Sequence, residues 1–224
     1  MWAYVSFEDP RTGDSFRTDT DLNLIVSHIH VGSPDVRLNL IDVPGMSGAL
    51  DCSEAPGGEI VYGPRPITID AGKTIVSRYA QDSRIKNALH GKRMKIILSE
   101  DPQWYYIGRI NVGEWVRECG IGHTAITCTC DPWKLKIEPT TVARADLSAN
   151  YKQLSLPNER RPVVPTITVS QDTTLLWQGN TYTINAGTHR LPDIQLQAGD
   201  NILKAKVPDS DTGSITVEYQ EASL

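Results

Sequence analysis

Two histidines two residues apart are the first side chains in the chain that could bind a metal. On a strand, His28 and His30 would point to the same side. A metal site needs three or four ligands, and no third ligand lies at a recognisable spacing from this pair. We therefore expect ordinary strand residues here, with a metal pair as the alternative.

Two cysteines have the same spacing and could serve metal or redox chemistry. Cys128 and Cys130 are separated by one residue, whereas zinc knuckles place two to four residues between their cysteines. Four cysteines without a secretory signal favour reduced thiols over a disulfide framework. We expect both to be small, buried apolar residues, with a metal or redox role involving Cys52 or Cys119 as the alternative.

Catalytic and nucleotide-binding motifs are absent from the sequence. It contains no Gly-x-Ser-x-Gly, no His-Glu-x-x-His, no P-loop and no dinucleotide fingerprint. The 27 acidic residues could supply a glycosidase pair, but sequence alone does not place one. We expect no enzymatic activity and no cofactor.

Composition favours a soluble globular protein. Hydrophobic residues make up 39% and charged residues 22% of the 224 residues, and the net charge is −5. Acidic residues outnumber basic ones on both sides of Pro139, so a positively charged surface for nucleic acid is not supported. The first ten residues do not resemble a signal peptide, and no apolar run approaches the ~18 residues of a membrane span, so we expect no membrane insertion.

Alternating residues predict strands in the first half of the chain. Leu22, Leu24 and Val26 share one face of a predicted strand from Leu22 to Val31, and continued alternation would add His28. The stretch after it, Val36 to Leu40, has the same pattern and predicts a half-buried strand. Pro44 and Gly45 then predict a type II turn.

One helix and one hairpin are predicted next. The helix would begin at Asp82 or Ser83, bury Ile85 and Leu89 on one face, and end at Gly91. The hairpin would pair Met94 to Leu98 with Trp104 to Val112. Gly108, among large residues, predicts a close approach of another segment or a bulge.

Several short motifs occur together in an informative order. Their residues resemble the N-terminal domain of distal tail (Dit) proteins of long-tailed bacteriophages, over roughly residues 20 to 137. The residues that carry the resemblance are Pro44, Gly45, Gly48, Asp51, Gly58, Tyr62, Arg65, His90, Gly91, Gly108, Arg109, Asp131 and Pro132. For Arg65 and Arg109 the resemblance leaves open a ring interface or pairing within the domain, and we favour the latter. Asp51 is expected to act in a turn or cap.

The resemblance implies a structural hub of a phage or prophage tail tip, located in the virion and assembled in the host cytoplasm. Six copies would form a ring that joins the tail tube protein to the tail-associated hub protein and to baseplate or receptor-binding components. The tape-measure protein and DNA would pass through without specific binding. We expect the hairpin-rich stretch from Val36 to Ile60 to contact the neighbouring copy, the alternative being that it packs on its own domain.

The resemblance and the strand pattern together predict a mainly β protein with two domains. Residues 1–138 would form a β-sandwich-like, ring-forming domain with one short helix, 139–162 a linker or shared strand, and 163–224 a galectin-like or carbohydrate-module-like β-sandwich. Leu196, Gly199 and Asn201 resemble the latter. Trp177, Tyr182 and Tyr219 could stack on sugar rings in host adhesion, although aromatic residues on strands are more often core.

Overall fold

The chain forms two compact units. The computed structural model describes residues 3–55, 58–74, 78–118, 121–208 and 212–224. The first unit is Met1–Lys134 with Leu224, and the second is Leu135–Ser223. Each unit has its own apolar core.

The first unit is built on one antiparallel sheet. Its strand order is β2-β1-β7-β8-β10-β6-β3, with β9 paired to the start of β10. Two further strands, β4 and β5, pair only with each other. The strands are β1 Val5–Glu8, β2 Ser15–Arg17, β3 Ile25–Val31, β4 Leu40–Asp42, β5 Ala49–Asp51, β6 Arg65–Thr74, β7 Arg93–Leu98, β8 Trp104–Val112, β9 Val116–Glu118 and β10 Ile121–Cys130.

The core of this unit lies on one face of the sheet. Strict alternation along β7, β8 and β10 sends every second side chain inward, so that the other face stays open to solvent. Ile67, Ile69 and Ile126 are fully buried, and Leu22 and Leu24 close the core from the segment before β3. The predicted mainly β class is confirmed.

The helix α1, Arg78–Leu89, covers part of this core. Ile85 and Leu89 lie one turn apart and are fully buried, as predicted. Asp82 is not the first residue of the helix, because α1 begins four residues earlier; its carboxylate instead pairs with Lys86 at 3.0 Å. Gly91 has a φ of +77° just after the helix, which is the left-handed terminator that the sequence predicts.

A register shift in β3 reverses the predicted orientation of one histidine. The pairing of β3 with β6 shifts between Val26 and His28, as in a β-bulge. The extra residue restarts the alternation, so Ile29 packs against the core while His28 and His30 are exposed. Continuing the sequence alternation through His28 was therefore wrong.

Gly108 lies on β8 where Cys130 and Thr129 of β10 pack closely against it. A Cβ atom there would be 2.5 Å from the Cys130 Sγ and 2.9 Å from the Thr129 carbonyl oxygen. The predicted close approach is confirmed. The hairpin of β7 and β8 is also confirmed, with Met94 opposite Gly108.

The second unit is a sandwich of two four-stranded sheets. One has the order β12-β19-β14-β17, and the other β13-β18-β15-β16. The short strands β11 and β20 pair with each other. The strands are β11 Lys134–Lys136, β12 Thr140–Leu147, β13 Lys152–Asn158, β14 Thr166–Val169, β15 Thr173–Trp177, β16 Asn180–Ile184, β17 Gly187–His189, β18 Gly199–Lys206, β19 Gly213–Tyr219 and β20 Ala222–Ser223.

The segment 139–162, predicted as a linker or shared strand, supplies strands to this sandwich. It supplies β12 to one sheet and β13 to the other, and Leu147, Leu154 and Leu156 are buried in the core. The contact boundary accordingly falls between Lys134 and Leu135. A bulge between Arg144 and Leu147 obscures the alternation of β12, which explains why this stretch has no clear period in the sequence.

Candidate assembly surface

A long hairpin, residues 32–64, extends from the sheet between β3 and β6, and we call it the arm. Backbone hydrogen bonds join its two legs along their length. Arg37 N–H donates to the Val61 carbonyl at 2.9 Å, and Cys52 N–H donates to the Asn39 carbonyl at 2.8 Å. Farther out, β4 and β5 pair with Ile41 opposite Leu50.

The end of the arm is a tight turn. Val43 C=O accepts the Met46 N–H at 3.1 Å, and Gly45 has a φ of +85°. Pro44 occupies the second position of this turn, where its fixed φ is favourable. The predicted type II turn is therefore present, and Gly48 follows it with a φ of +84°.

The arm is strongly apolar and exposed. Leu38 and Leu40 are 62% and 54% exposed, and no described arm residue belongs to the core of the unit. Large apolar side chains exposed along the described arm are Val36, Leu38, Leu40, Ile41, Val43, Met46, Leu50, Ile60 and Val61. Concentration of so many in one projection is typical of an interaction surface.

The prediction of a half-buried strand at Val36 to Leu40 was wrong. The residues do pair with the opposite leg, yet both faces of the hairpin remain exposed because no second layer covers either one. One sequence signal was overlooked. Leu40 is followed by Ile41, and Ile60 by Val61, so apolar residues occur on both faces, which is unusual for a strand with one solvent face.

Two motif residues fix the arm where it returns to the sheet. Tyr62 packs edge-on against Trp133, with ring centroids 5.5 Å apart. Arg65 is buried, donates from Nε to the Pro132 carbonyl at 3.0 Å, and lies over the Tyr106 ring. Burial raises the pKa of the Tyr106 hydroxyl. Arg65 thus pairs within the domain, as favoured from the sequence.

A second group of motif residues joins the end of α1 to β8. His90 accepts the Val112 N–H at Nδ1 (3.1 Å), and Gly91 N–H donates to the Ile110 carbonyl at 2.8 Å. Arg109 donates from Nη1 to the Gly91 carbonyl at 2.6 Å, so it also bonds within the domain.

The loop after β10 carries the last motif residues. Asp131 pairs with Arg93 at 2.6 Å, and its N–H donates to the Ile107 carbonyl at 2.8 Å. Together with the Pro132 carbonyl bonded to Arg65, these bonds tie the loop to β6, β7 and β8. The loop therefore shares β6, through Arg65, with the base of the arm.

Two motif residues of the arm serve its own turns. The Asp51 carboxylate accepts hydrogen bonds from the Ser53 hydroxyl and N–H, which lower the pKa of Asp51. Gly58 has a φ of +73° and its N–H donates to the Glu54 carbonyl at 2.7 Å. Asp51 thus acts in a turn, in agreement with the sequence interpretation.

The arm is also acidic. It carries five carboxylates and a single cationic side chain. The carboxylates are those of Asp35, Asp42, Asp51, Glu54 and Glu59, and the cation is Arg37. A partner surface should therefore be apolar and basic.

The candidate chemical residues do not assemble into a reactive site. Cys128 and Cys130 are buried, and burial raises the pKa of both thiols, that of Cys130 to about 12. The cysteines that the structure describes are unbridged, and Cys119 lies outside the described residues. Within the described ranges, no three His, Cys, Asp or Glu side chains are grouped to hold a metal ion.

The aromatic residues proposed for sugar stacking lie mostly inside the second unit. Trp177 and Tyr219 are buried in its core, so neither ring offers a face to a sugar. The Tyr219 hydroxyl donates to the Pro157 carbonyl, and burial raises its pKa to about 12. Tyr182 is half-buried against the same core, and its role in stacking stays a prediction.

The described part of the chain has no helix with the length and apolar character of a membrane span. No protein-family model matches the chain, and no curated protein sequence matches it.

Solved structures do match the fold. The chain is similar to the Dit protein of phage SPP1, whose structure is described as a paradigm of the hub adsorption apparatus in phages that infect Gram-positive bacteria. The match has a TM-score of 0.66 at 15% identity and covers 100% of both chains. Two weaker matches come from the phage p2 baseplate in its activated conformation. The strontium form has a TM-score of 0.37 at 9% identity, covering 97% of this chain and 98% of that chain. The calcium form has a TM-score of 0.38 at 8% identity, covering 100% and 99%. The chain has the same fold as the SPP1 Dit protein.

Proposed function

We propose that the chain is a structural hub protein of a phage or prophage tail tip. Six copies form a closed ring in which the arm of each copy packs on the next. The exposed apolar arm is the observation that carries this proposal, because it gives the fold a surface that needs a partner. The Dit fold supports the tail-tip role.

A ring with a single kind of subunit uses two different surfaces of each copy, one meeting the other on its neighbour. The arm supplies one of them. Fully burying a Leu, Ile, Val or Met side chain contributes roughly 1.5–3 kcal/mol, so covering four of them contributes roughly 6–12 kcal/mol. This is comparable with the ~4–15 kcal/mol that association costs. A stable ring therefore requires most of the arm to be covered.

In the assembled tail tip, the ring would join the tail tube protein to the tail-associated hub protein. Its channel would pass the tape-measure protein and DNA, and the second unit would offer a docking surface for baseplate or receptor-binding proteins. The absence of a strongly basic composition is compatible with passage of DNA without specific binding.

The solution mass tests the ring. Light scattering on a sizing column should give about 150 kDa, six times the 24.7 kDa chain. Deleting residues 44–48 at the end of the arm should yield a folded monomer with unchanged circular dichroism. The control is Ile202→Ser, which removes an exposed apolar residue of the second unit and should leave the mass unchanged.

A ring that persists after the deletion would exclude the end of the arm, residues 44–48, as an essential contact. A wild-type monomer at every concentration would exclude assembly by this chain alone. Electron microscopy of the wild-type species should show a six-fold ring with a central channel.

A further inference from the structure

The open face of the sheet carries a mixed basic and apolar surface on β7 and β8. Arg93 lies directly opposite Arg109, and Lys95 lies opposite Ile107. Their neighbours along each strand point into the core, so these side chains share the opposite face. We call this surface the β7–β8 strip. It consists of Arg93, Lys95, Ile97, Tyr105, Ile107 and Arg109.

The cations of the strip are only partly neutralised by the described acidic side chains. Arg93 pairs with Asp131 at 2.6 Å, and Lys95 pairs with Glu8 at 3.3 Å. Arg109 donates to a neutral backbone carbonyl, that of Gly91. An arginine has five N–H donors, so one such bond leaves capacity for a carboxylate from outside.

A cleft of about 550 Å³ adjoins the strip, and the two arginines among its lining residues favour an anion. Arg93, Arg109, Asn111 and Thr129 contribute hydrogen-bond donors to it. His90 also lines the cleft. Because its Nδ1 accepts the Val112 N–H, the proton of the neutral ring is on Nε2, which makes that atom a further donor.

The strip and the arm have complementary chemistry. The strip combines basic groups with half-buried apolar ones, whereas the arm combines carboxylates with exposed apolar residues. On the arm, exposed Asp42 directly follows Leu40 and Ile41, so a partner would meet charge and apolar surface together. Surfaces of like charge repel each other, whereas surfaces of opposite charge attract and fix the register of an interface.

The positions of the two surfaces in the sheet also suit a ring. The arm leaves between β3 and β6 at one edge, whereas β7 is the third strand from the other edge, formed by β2 and β1, and β8 is the central strand. When sheets follow one another around a ring, the β3 edge of one copy faces the β2 edge of the next. A leg of about nine residues extends ~30 Å, and the two or three strand spacings from the β2 edge to β7 and β8 are ~10–15 Å, so the arm can span to the neighbour's strip.

We infer that the β7–β8 strip and its cleft receive the acidic, apolar arm of a second copy of this chain. This inference rests on the proposed ring and names its second surface. The carboxylates of the arm pair with Arg93 and Arg109, and its apolar residues cover Ile97, Tyr105 and Ile107.

A charge swap tests this pairing. The strip-reversed protein carries Arg93→Glu and Arg109→Glu. The arm-reversed protein carries Asp42→Arg and Glu59→Arg. A third protein carries all four changes. Each reversed protein should need at least about tenfold more protein to form the ring in light scattering, and the third should recover much of the loss. If the strip-reversed chain does not fold by circular dichroism, Arg93→Gln with Arg109→Gln replaces it and should show the same direction.

The control is Arg117→Glu, which makes the same type of substitution, with half the total charge change, on exposed Arg117 of β9. Arg117 lies opposite Gly122 and Arg109 opposite Thr129, so ~23 Å of β10 separate the two sites. This control should assemble as the wild type does.

Several outcomes would overturn the inference. If strip reversal leaves a wild-type ring that the arm deletion abolishes, the arm docks elsewhere and only this inference fails. Loss of the ring in Ile25→Ser with Ile121→Ser, but not on strip reversal, would assign the receiving surface to the exposed apolar residues at the far end of the sheet. A wild-type chain that forms no ring at any concentration would exclude the proposed assembly of this chain alone, and this inference with it.

Discussion

The arm and the sheet that carries it place the same kinds of side chain in opposite surroundings. Ile67 and Ile69 on β6 are fully buried, whereas Leu38 and Leu40 on the arm are more than half exposed. Backbone pairing is satisfied in both. The difference shows that pairing and burial are separate requirements, since two strands can pair alone but cannot bury their side chains without a second layer.

The comparison of the sheet with the arm predicts the largest loss of stability for a substitution in the core of the sheet. Phe7→Ala should lower the free energy of unfolding by about 3–5 kcal/mol, because the fully buried ring leaves a cavity when it is removed. Ile41→Ala on the arm should change it by no more than about 0.5 kcal/mol in the monomer. Urea unfolding of dilute, monomeric protein measures both.

An assembly assay should detect the arm substitution that the unfolding of the monomer does not. Ile41→Ala should weaken the ring although it leaves the monomer intact. A loss of monomer stability at Ile41 comparable to that at Phe7 would show that the arm packs on its own domain, contrary to the exposure seen here.

The same comparison explains which features the sequence could predict. Gly108, the terminator Gly91 and the buried Cys128 and Cys130 were predicted correctly, because each depends on local spacing and on the size of near neighbours. The β-bulge before His28 could not be predicted, since inserting one residue into a strand leaves no periodic signal of its own.

The exposure of the arm could not be predicted from the alternation of apolar and polar residues. Val36 and Leu38 alternate as residues of a half-buried strand do, and only the absence of a covering layer distinguishes them. Among the described residues no layer covers the arm, so alternation within one chain predicts its burial incorrectly. In the second unit, Leu196 makes an isolated bridge with Val163 rather than a continuing ladder.

Substitutions of two glycines, one on the sheet and one on the arm, should have intermediate effects on stability. Gly108→Ala should cost about 1–3 kcal/mol, because its methyl group would meet Cys130 and the Thr129 carbonyl. Gly45→Ala should cost about 1–2 kcal/mol for a different reason, since the turn requires a φ of +85° although space is open around it.

The two costs should fall on different properties. Gly108→Ala should lower the unfolding midpoint of the first unit in urea, whereas Gly45→Ala should chiefly alter the end of the arm and hence ring assembly. Equal loss of global stability at both positions would contradict the separation of arm and sheet.

The smallest effect concerns thiol reactivity, with no change in stability. Cys52 on the arm is partly exposed, whereas Cys128 and Cys130 are buried and their pKa values are raised by burial. Because the thiolate is the reactive form, alkylation at about pH 8 should modify Cys52 first and leave the two buried thiols largely unmodified. Peptide mass spectrometry after timed alkylation measures this, with Cys119→Ser in every sample so that only described thiols are compared.

Assembly of the ring should change the alkylation rate of Cys52 and leave those of Cys128 and Cys130 unchanged. If the arm is covered in the ring, alkylation of Cys52 should slow in samples concentrated enough to assemble, while Cys128 and Cys130 stay unreactive in both states. The end-of-arm deletion is the control, since its Cys52 should react equally fast at all concentrations. A Cys52 rate that does not change when the ring forms would place this part of the arm outside the interface, and would confine the contact to the apolar residues nearer Pro44. Rapid alkylation of Cys128 or Cys130 would instead mean that the sheet opens, because a buried thiol with a raised pKa reacts only after it is exposed.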